Sequence, residues 1–396
     1  MNAPHVVEAA EAFGGGVARQ LAQIADALPA LGWRATFLIG ARPDEPSADA
    51  RRLLAASGCA IETLPLMRRT LLRPDRDWAA GRDLERRLRR LAPDLVHTHA
   101  AKAGYLGRRA ARRLGIPAIH TPHVFAFEWA PRPLSWLYAA LERRAANRSG
   151  ALVCLTPGQR ADALKRGVAM SEASCALLPN GVDCEWFRPP TPGERAAARA
   201  AYALPAGARV AGHVGRFCRQ KDMPTLLAAA AFHARADPAF HLLLVGTGPE
   251  VKRTWQAALA LARAEGWPGR LRCAGETPDV REVYWALDAL LLTSLWEGMP
   301  YGLLEALACG VPAAATATRG AAALVREGEN GWLSDPGDAR GMAAALGRWR
   351  DAAAVGRSAA FGLSARHTAE RHNASDWARR LALLYDAVLQ AAARRK

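Results

Sequence analysis

The sequence has 396 residues, 51% hydrophobic and 23% charged, which excludes intrinsic disorder and favours two folded domains over one. No apolar run is long enough to span a membrane, and the first residues carry Glu8 and Glu11 but no basic cluster, which argues against a signal peptide. Seven scattered cysteines without CxxC spacing indicate reduced thiols rather than a disulfide or zinc framework. We therefore expect a cytoplasmic protein.

Short β-like runs alternate with helical runs along the chain, which predicts parallel sheets with helices on both faces. In the first half, we predict strands at residues 5–8, 34–39, 60–64, 95–99, 117–121 and 151–155, and helices at 17–31, 84–91, 102–114 and 134–146. The pattern restarts with strands at 210–214, 241–245, 271–274, 289–293 and 312–316, and helices at 222–236, 251–265, 280–287 and 303–308.

A Pro-rich stretch at residues 188–193 is the predicted linker between the two α/β domains. We place the domains at 1–187 and 188–370, with a C-terminal segment, 371–396, whose amphipathic helix packs back on the first domain. Both domains are expected to be doubly wound and Rossmann-like. Because such sheets bind ligands beyond the carboxyl ends of their strands, we expect the two to face each other across a cleft.

Positive charge is concentrated between Arg68 and Arg113, where fourteen basic residues outnumber five acidic ones, within a chain of net charge +16. The simplest interpretation is a solvated helix face. The alternative is docking of the basic amphipathic helix at residues 83–91 on an anionic membrane surface. Nucleic-acid binding lacks support, because no basic strand rich in aromatic residues and no binding module is present.

Two patterns raise the question of a metal, and neither favours one. The first is a cluster of histidines at the ends of two neighbouring predicted strands: His97, His99, His120 and His123. No carboxylate or cysteine accompanies them in the sequence, so we interpret one, His123, as a polar or acid/base group and the others as core residues. Asp75 and Asp77 match a DxD pattern, but no apolar strand precedes them, and a helix N-cap is the favoured interpretation.

Loops at predicted strand ends could hold a phosphate. Gly14, Gly15 and Gly16 open the first helix, whose backbone N–H groups could face an anion, although a tight turn without a ligand is the alternative. Arg216 and Lys221 follow the first strand of the second domain and could neutralise a diphosphate. Surface charges near a helix cap are the alternative, but Lys221 is informative because lysine is rare in this chain.

The most informative loop lies between Glu297 and Glu305. It follows the apolar run at residues 289–292 and leads into a helical pattern, which predicts one carboxylate in a loop and the other in the first turn of a helix. A helix start favours a phosphate, while carboxylates accept hydrogen bonds from sugar hydroxyls. The combination suits a nucleotide-sugar. Gly246 could line the same site or be a plain turn, and the loop with Thr277 could present groups to a base.

Together these motifs resemble retaining glycosyltransferases of the GT-B fold, family 4 (GT4), over nearly the whole chain, and most closely the bacterial capsule or exopolysaccharide type. The stretches that carry the resemblance, after the glycine loop, are Pro93–His99, Thr121–His123, Pro179–Asp183, Val214–Arg216 with Lys221, Val245–Pro249, Ser294–Gly298 and Glu305–Pro312. One departure is Arg319-Gly320-Ala321, where the family usually has a Gly-Gly pair followed by an acidic residue.

The resemblance implies a role for each of these residues. Glu305 would bind the ribose and Glu297 the hydroxyls of the donor sugar, while His123 matches an active-site histidine on the acceptor side. Arg216 and Lys221 would hold the diphosphate, and with His123 and Glu297 they form the implied catalytic set. The other implied donor contacts are Gly15, Gly16, Gly246, Thr277, Gly298, Met299, Tyr301, Gly302 and Leu303.

The implied function is transfer of a sugar, with retention and without a metal or other cofactor, from a nucleotide-diphosphate sugar to a polysaccharide or lipid-linked acceptor. A UDP-sugar is the favoured donor, and the expected place is the cytoplasmic membrane face. The alternatives are a nucleotide-sugar epimerase or hydrolase of the same fold, and a non-catalytic protein that binds nucleotide-sugars or anionic lipids. A nicotinamide dehydrogenase is disfavoured, because no GxGxxG follows a predicted strand.

Overall fold

The computed structural model describes residues 3–11, 13–40, 57–67, 74–146 and 150–394. Its contacts divide the chain into two units, Met1–Gly181 with Ala374–Lys396, and Val182–Asn373. The divisions predicted from the sequence fall after residues 187 and 370. In the second unit, Val182 N donates to His372 O at 2.7 Å and Val182 bridges Asn373, so the two ends of this unit lie side by side.

The first unit is built on a seven-stranded parallel sheet. Its elements are β1 (His5–Ala10), α1 (Gly15–Ala27), β2 (Arg34–Gly40), β3 (Ala60–Leu64), α2 (Pro74–Leu91), β4 (Leu95–His99), α3 (Ala101–Arg113), β5 (Ala118–Thr121), α4 (Ala126–Trp129), α5 (Leu134–Ala146), β6 (Gly150–Cys154), α6 (Pro157–Lys165) and β7 (Cys175–Leu177), with 3-10 turns at Pro29–Leu31 and Glu172–Ser174. The strand order is β3-β2-β1-β4-β5-β6-β7.

The second unit is built on a six-stranded parallel sheet. Its elements are α7 (Pro192–Ala201), β8 (Arg209–Val214), α8 (Met223–Ala236), β9 (Phe240–Val245), α9 (Val251–Ala264), β10 (Leu271–Ala274), α10 (Val280–Ala286), β11 (Ala289–Leu292), α11 (Tyr301–Ala308), β12 (Ala313–Thr316), α12 (Arg319–Ala322), β13 (Gly331–Ser334), α13 (Ala339–Ala354) and α14 (Ser358–Glu370), with 3-10 turns at Arg219–Lys221 and Pro268–Arg270. The strand order is β10-β9-β8-β11-β12-β13.

The final helix, α15 (Ala374–Ala393), belongs to the first unit. Its apolar face, with Trp377, Leu381 and Tyr385, packs in the same core cluster as Val6 of β1 and Leu21 of α1. All six residues of β1 are buried, because helices cover both faces of a parallel sheet. Two doubly wound α/β units with this strand order confirm the predicted fold class.

Two local predictions need correction. Glu305 lies in the second turn of α11, because the helix begins at Tyr301, two residues earlier than the apolar pattern indicated. Asp75 and Asp77 lie inside the first turn of α2, which begins at Pro74, rather than at an N-cap. Asp77 pairs with Lys102 at 2.7 Å, so this acidic pair serves helix packing and the positive end of α2. Among the described residues, no helix is long and apolar enough to cross a membrane.

Gly246 allows the loops after β8 and β9 to approach each other closely. It has φ of 139°, and a Cβ at this position would lie 1.9 Å from Gly215 O. The two loops are joined by backbone hydrogen bonds, from Gly215 N to Val245 O at 3.0 Å and from Phe217 N to Thr247 O at 2.7 Å. The glycine therefore has a packing role, whether or not it also contacts a ligand.

Gly246→Ala is expected to destabilise the second unit by at least about 2 kcal/mol, because the new methyl group meets backbone at a positive φ. The measurement is the free energy of unfolding from a denaturant titration. Gly275→Ala is the matched control at the end of β10, where a Cβ would meet nothing within 4 Å. Equal free energies of unfolding for the two variants would show that the loops after β8 and β9 can move apart without loss of stability.

Candidate active site

The loops that follow β8 and β11 are tied together. Thr293 Oγ1 donates to Lys221 O at 2.8 Å, and Leu295 N donates to Gln220 O at 2.8 Å. Gln220 Nε2 donates to Trp296 O, also at 2.8 Å. Because β8 and β11 are neighbours where the strand order reverses, these loops lie where doubly wound sheets bind ligands.

Lys221 and Glu297 form an ion pair between these two loops. Lys221 Nζ lies 2.5 Å from Glu297 Oε1, and Ser294 Oγ donates to the same oxygen at 2.8 Å. The side chains are 15% and 9% exposed, so the pair is largely shielded from solvent. The family resemblance implies a diphosphate as the partner of Lys221 and a sugar as the partner of Glu297, and in the structure their charged groups contact each other.

Arg216 lies close to the start of α11 through the end of β8. A Cβ on Gly302 would lie 3.6 Å from Val214 O, so this helix start packs against the last residue of the strand, two residues before Arg216. The guanidinium of Arg216 is exposed and has no hydrogen-bond or ion-pair partner within the described ranges. An exposed, unpaired guanidinium two residues beyond this contact is suited to bind an anion.

The first turn of α11 leaves one backbone N–H group available for a phosphate. Leu303 N and Leu304 N both donate to Pro300 O at 3.2 Å. By contrast, Gly302 N donates to no atom of the part of the chain that the structure describes. Of these three N–H groups, that of Gly302 is therefore the one free for a ligand.

Glu305 is buried beside a tyrosine that the sequence analysis missed. Tyr284 OH, on α10, donates to Glu305 Oε2 at 2.8 Å, and the two residues are 0% and 4% exposed. The hydroxyl compensates part of the cost of burying the carboxylate and restricts its orientation. A tyrosine in an otherwise apolar part of a predicted helix was the available signal, since a buried hydroxyl needs a partner.

Most of the other predicted donor contacts offer backbone rather than side chains. Met299, Tyr301 and Leu303 are 5%, 7% and 0% exposed, so their side chains belong to the core of the second unit. Gly298 is buried as well, whereas Thr277 is half-buried and its hydroxyl donates to Asp279 O at 3.2 Å. The sequence did not distinguish which of these residues offer side-chain groups and which offer only backbone groups.

The departure at Arg319-Gly320-Ala321 keeps one glycine where the backbone requires it. A Cβ on Gly320 would lie 2.5 Å from Gly298 O, because the start of α12 packs directly on the loop that leads into α11. Gly320 therefore supports the position of Gly298. The structure gives no role to the missing second glycine of the family pattern.

In the first unit, Gly15 and Gly16 are exposed at the start of α1, a helix of 13 residues. The preceding Gly14 occupies the N-cap position without a side-chain cap. Exposed N–H groups at a helix start favour an anion.

The predicted histidines belong to a network of side chains around Glu8. Glu8 Oε2 lies 2.7 Å from His99 Nε2, and His99 Nδ1 lies 3.2 Å from His123 Nε2. Tyr385 OH donates to Glu8 Oε1 at 2.6 Å and lies 2.6 Å from His97 Nδ1. Four of the five side chains are buried, and only His123 is partly exposed.

The register between strands β1 and β4 brings the side chains of this network together. Glu8 of β1 is opposite His97 of β4, and Ala10 is opposite His99. Side chains two residues apart project from the same face of a strand, so both histidine rings lie beside the carboxylate, with ring centroids 4.1 Å apart. His123 follows β5, the neighbour of β4.

The network shifts the pKa values of its members. Burial alone would raise the pKa of Glu8, but the charges and hydrogen bonds of His97 and His99 lower it to about 2. Burial, reinforced by His97, lowers the pKa of His99 to about 4 despite the opposing effect of Glu8. Burial also lowers the pKa of His123 well below its ordinary value and raises that of Tyr385 well above it. Near neutral pH, Glu8 is ionised while His99 and His123 are uncharged.

Glu8, His97 and His99 bring three possible ligand atoms within 4.8 Å of one another. The prediction that no carboxylate accompanies these histidines is wrong, because Glu8 comes from a different strand. The interacting atoms satisfy one another by hydrogen bonds, and His97 Nε2 has a further partner in Thr121 Oγ1 at 2.9 Å. An acidic residue inside a buried apolar strand was the signal that such partners exist.

Comparisons with known proteins agree with this architecture. The model of Glycosyltransferase Family 4 matches residues 14–186, and the model of Glycosyl transferases group 1 matches residues 208–351. A solved structure of Anabaena HepE in complex with UDP has a TM-score of 0.78 to this chain, covering 97% of this chain and 100% of that chain at 19% identity. This likeness confirms the GT-B fold.

Two curated relatives are similar in sequence. A UDP-Gal:alpha-D-GlcNAc-diphosphoundecaprenol alpha-1,3-galactosyltransferase of Escherichia coli is 33% identical over 65% of this chain and 66% of its own length, slightly less than two thirds. A D-inositol 3-phosphate glycosyltransferase of Thermobispora bispora is 30% identical over 75% of this chain and 71% of its own length. With two family models that together extend from residue 14 to residue 351, the chain belongs to glycosyltransferase family 4.

Proposed function

We propose that this protein transfers a sugar from a nucleotide-diphosphate sugar to a glycan or lipid-linked acceptor in the synthesis of a cell-surface polysaccharide. The observation that carries the proposal is the Lys221–Glu297 pair at the strand reversal of the second unit, close to the start of α11. The name of the E. coli relative, with UDP-Gal as donor and a lipid diphosphate in the acceptor, supports the same class of reaction.

In this proposal the second unit binds the donor. The diphosphate takes its positive charge from Arg216 and Lys221 and a hydrogen bond from Gly302 N. Glu305, held by Tyr284, accepts hydrogen bonds from the ribose, and Glu297 does so from the sugar. Thr277 and Gly246 border the base and the phosphates through their loops. A UDP-sugar is the proposed donor, because HepE was solved in complex with UDP.

The first unit contributes Gly15 and Gly16, whose exposed N–H groups approach the donor, and His123, which acts on the acceptor side. In the transfer step, the bond between the anomeric carbon and the diphosphate oxygen breaks, and a bond forms to the acceptor oxygen on the same face. The acceptor proton goes to the departing diphosphate. Arg216 and Lys221 stabilise the charge that develops there, so the proposal requires no metal.

The function is tested with purified protein, a panel of UDP-, GDP- and ADP-sugars, and a polyprenyl-diphosphate-linked sugar as acceptor. We expect an elongated acceptor with retained anomeric configuration, detected by mass spectrometry and NMR, and unchanged activity in EDTA. Free sugar formed without acceptor would instead support a hydrolase. Donor binding in a thermal-shift assay without turnover on any acceptor would support a non-catalytic binding protein.

Lys221→Ala is expected to raise the donor KM or lower kcat by at least about tenfold, equivalent to about 1.4 kcal/mol, because one of two charges on the diphosphate is lost. Steady-state kinetics with varied donor measure the change. Lys252→Ala, which removes an exposed lysine from α9, is the matched control and should behave as wild type. Wild-type kinetics for Lys221→Ala would rule out its role at the diphosphate.

We also propose that the first unit docks on an anionic membrane surface through α2 and α3. Much of the local charge is already paired, for example Arg87 with Glu62 at 2.6 Å. However, Arg82 and Arg109 have no ion-pair partner in the described ranges and line one groove between the helices with Trp78, which is 67% exposed. Unpaired arginines beside an exposed tryptophan suit a lipid headgroup region. Arg68, Arg69 and Arg73, also part of the predicted basic region, lie outside the described residues.

Vesicle flotation tests this docking. The wild type is expected to float with vesicles that contain phosphatidylglycerol, less so as salt increases, and not with phosphatidylcholine alone. Arg82→Glu/Arg109→Glu should lose most of this binding. Arg253→Glu/Arg263→Glu makes the same change in net charge on α9 and should retain it. Equal flotation of the two variants would place the contact elsewhere.

A further inference from the structure

His123 is held in an unusual conformation by two contacts. Its φ is 58°, a left-handed value that costs free energy in a residue with a Cβ. Gln159 Nε2 donates to its carbonyl oxygen at 3.1 Å, and His99 Nδ1 lies 3.2 Å from its Nε2. Strain that is held in place by specific contacts at a strand end points to a functional position.

The protonation of the ring can be deduced from Glu8. An ionised carboxylate only accepts hydrogen bonds, so the contact of 2.7 Å requires the proton on His99 Nε2. An uncharged His99 then has a lone pair on Nδ1, and the contact of 3.2 Å requires His123 Nε2 to donate. The proton of His123 is therefore directed inward, toward Glu8.

The other branch of the network is consistent with the same assignment. Tyr385 OH donates to Glu8 and must therefore accept from His97 Nδ1. His97 Nε2 lies 2.9 Å from Thr121 Oγ1, a hydroxyl that can either donate or accept, so this contact is compatible with the assignment. The hydrogen bonds around Glu8 are thus all compatible with a carboxylate that only accepts and with a proton on His99 Nε2.

The remaining ring nitrogen of His123 is open. Its Nδ1 makes no hydrogen bond to any residue that the structure describes, and the side chain is partly exposed. An uncharged nitrogen with a lone pair, backed through His99 by an ionised carboxylate, disfavours a phosphate and favours a neutral O–H donor. The ligand chemistry that fits is a sugar hydroxyl.

We propose that Glu8 and His99 are positioning residues that fix His123 as the Nε2–H tautomer, so that its Nδ1 accepts a hydrogen bond from a sugar hydroxyl. This inference rests on the proposed function for the identity of the ligand. The tautomer itself follows from contacts within the first unit.

The tautomer is tested on wild-type protein with ¹⁵N-labelled histidine, by two-bond ¹H–¹⁵N correlation spectra in which His123→Gln identifies the signals of His123. We expect an uncharged ring protonated at Nε2. In Glu8→Gln, a neutral amide can donate as well as accept, so His123 should populate both tautomers. A wild-type ring protonated at Nδ1 would overturn the proposal.

Kinetics test the consequence. Glu8→Gln and His99→Phe are expected to lower kcat/KM by about tenfold or more, since losing an orienting carboxylate behind a histidine costs up to about 10⁴ in a well-studied case. A panel of monodeoxy substrates removes each sugar hydroxyl in turn. The kcat/KM values of the wild type and His99→Phe should become equal for the one substrate that lacks the hydroxyl bound by His123. Thr36→Val, which removes the buried contact of 2.9 Å with His5, is the control for stability alone.

The outcomes separate the two proposals. A wild type that transfers no sugar but has the Nε2–H tautomer would refute the proposed function and leave the assignment of His123 intact. If the variants Glu8→Gln and His99→Phe are folded and transfer sugar at wild-type rates, the positioning role alone is refuted. Circular dichroism establishes folding, and the wild-type spectrum decides the tautomer even if a variant does not fold.

Discussion

The candidate site depends on one constraint, the reversal of strand order in each parallel sheet. Order β3-β2-β1-β4 places the loops after β1 and β4 side by side, and order β10-β9-β8-β11 does the same for β8 and β11. At a reversal the connecting helices leave toward opposite faces of the sheet, so the space beyond the two strands stays open. Glu8 and His99 lie at the first reversal, and Lys221 and Glu297 at the second. Their positions therefore follow from topology before any local chemistry is considered.

The two reversals stabilise a shielded carboxylate in different ways. Glu8 is fully buried and ionised, and His97, His99 and Tyr385 surround it with hydrogen-bond donors, so its charge is compensated in place. Glu297 is paired with Lys221, and both side chains keep some exposure. Removing one partner of a shielded pair is costly unless another charge replaces it. An anionic ligand can replace Glu297 at Lys221, which makes the second arrangement suitable for binding and the first suitable for holding a neighbour in place.

Much of the fold was predictable from sequence, because short apolar runs bounded by glycine and proline identify buried parallel strands. The sequence predictions missed β7 and β13, which are only three and four residues long. The loops of the site were predictable for the same reason, since ligands of this architecture lie at strand ends. The partners of the buried acids were not. Tyr385 is 377 positions from Glu8, and Tyr284 is 21 from Glu305, so each contact appears only when the chain is folded.

The long separation between Glu8 and Tyr385 also explains why α15 belongs to the first unit. The helix buries Trp377 and Leu381 against the sheet, which any apolar helix could do, but Tyr385 adds a hydroxyl directed at the one carboxylate of β1. Without that donor, Glu8 would keep its two histidines and lose part of the compensation for its burial. The carboxylate of Glu8 would then bind a proton more readily. Because a protonated carboxyl group can donate as well as accept a hydrogen bond, it would no longer determine which nitrogen of His99 carries the hydrogen. Tyr385 of the final helix thus influences the tautomer of His123, because it stabilises the negative charge of Glu8 on the first strand.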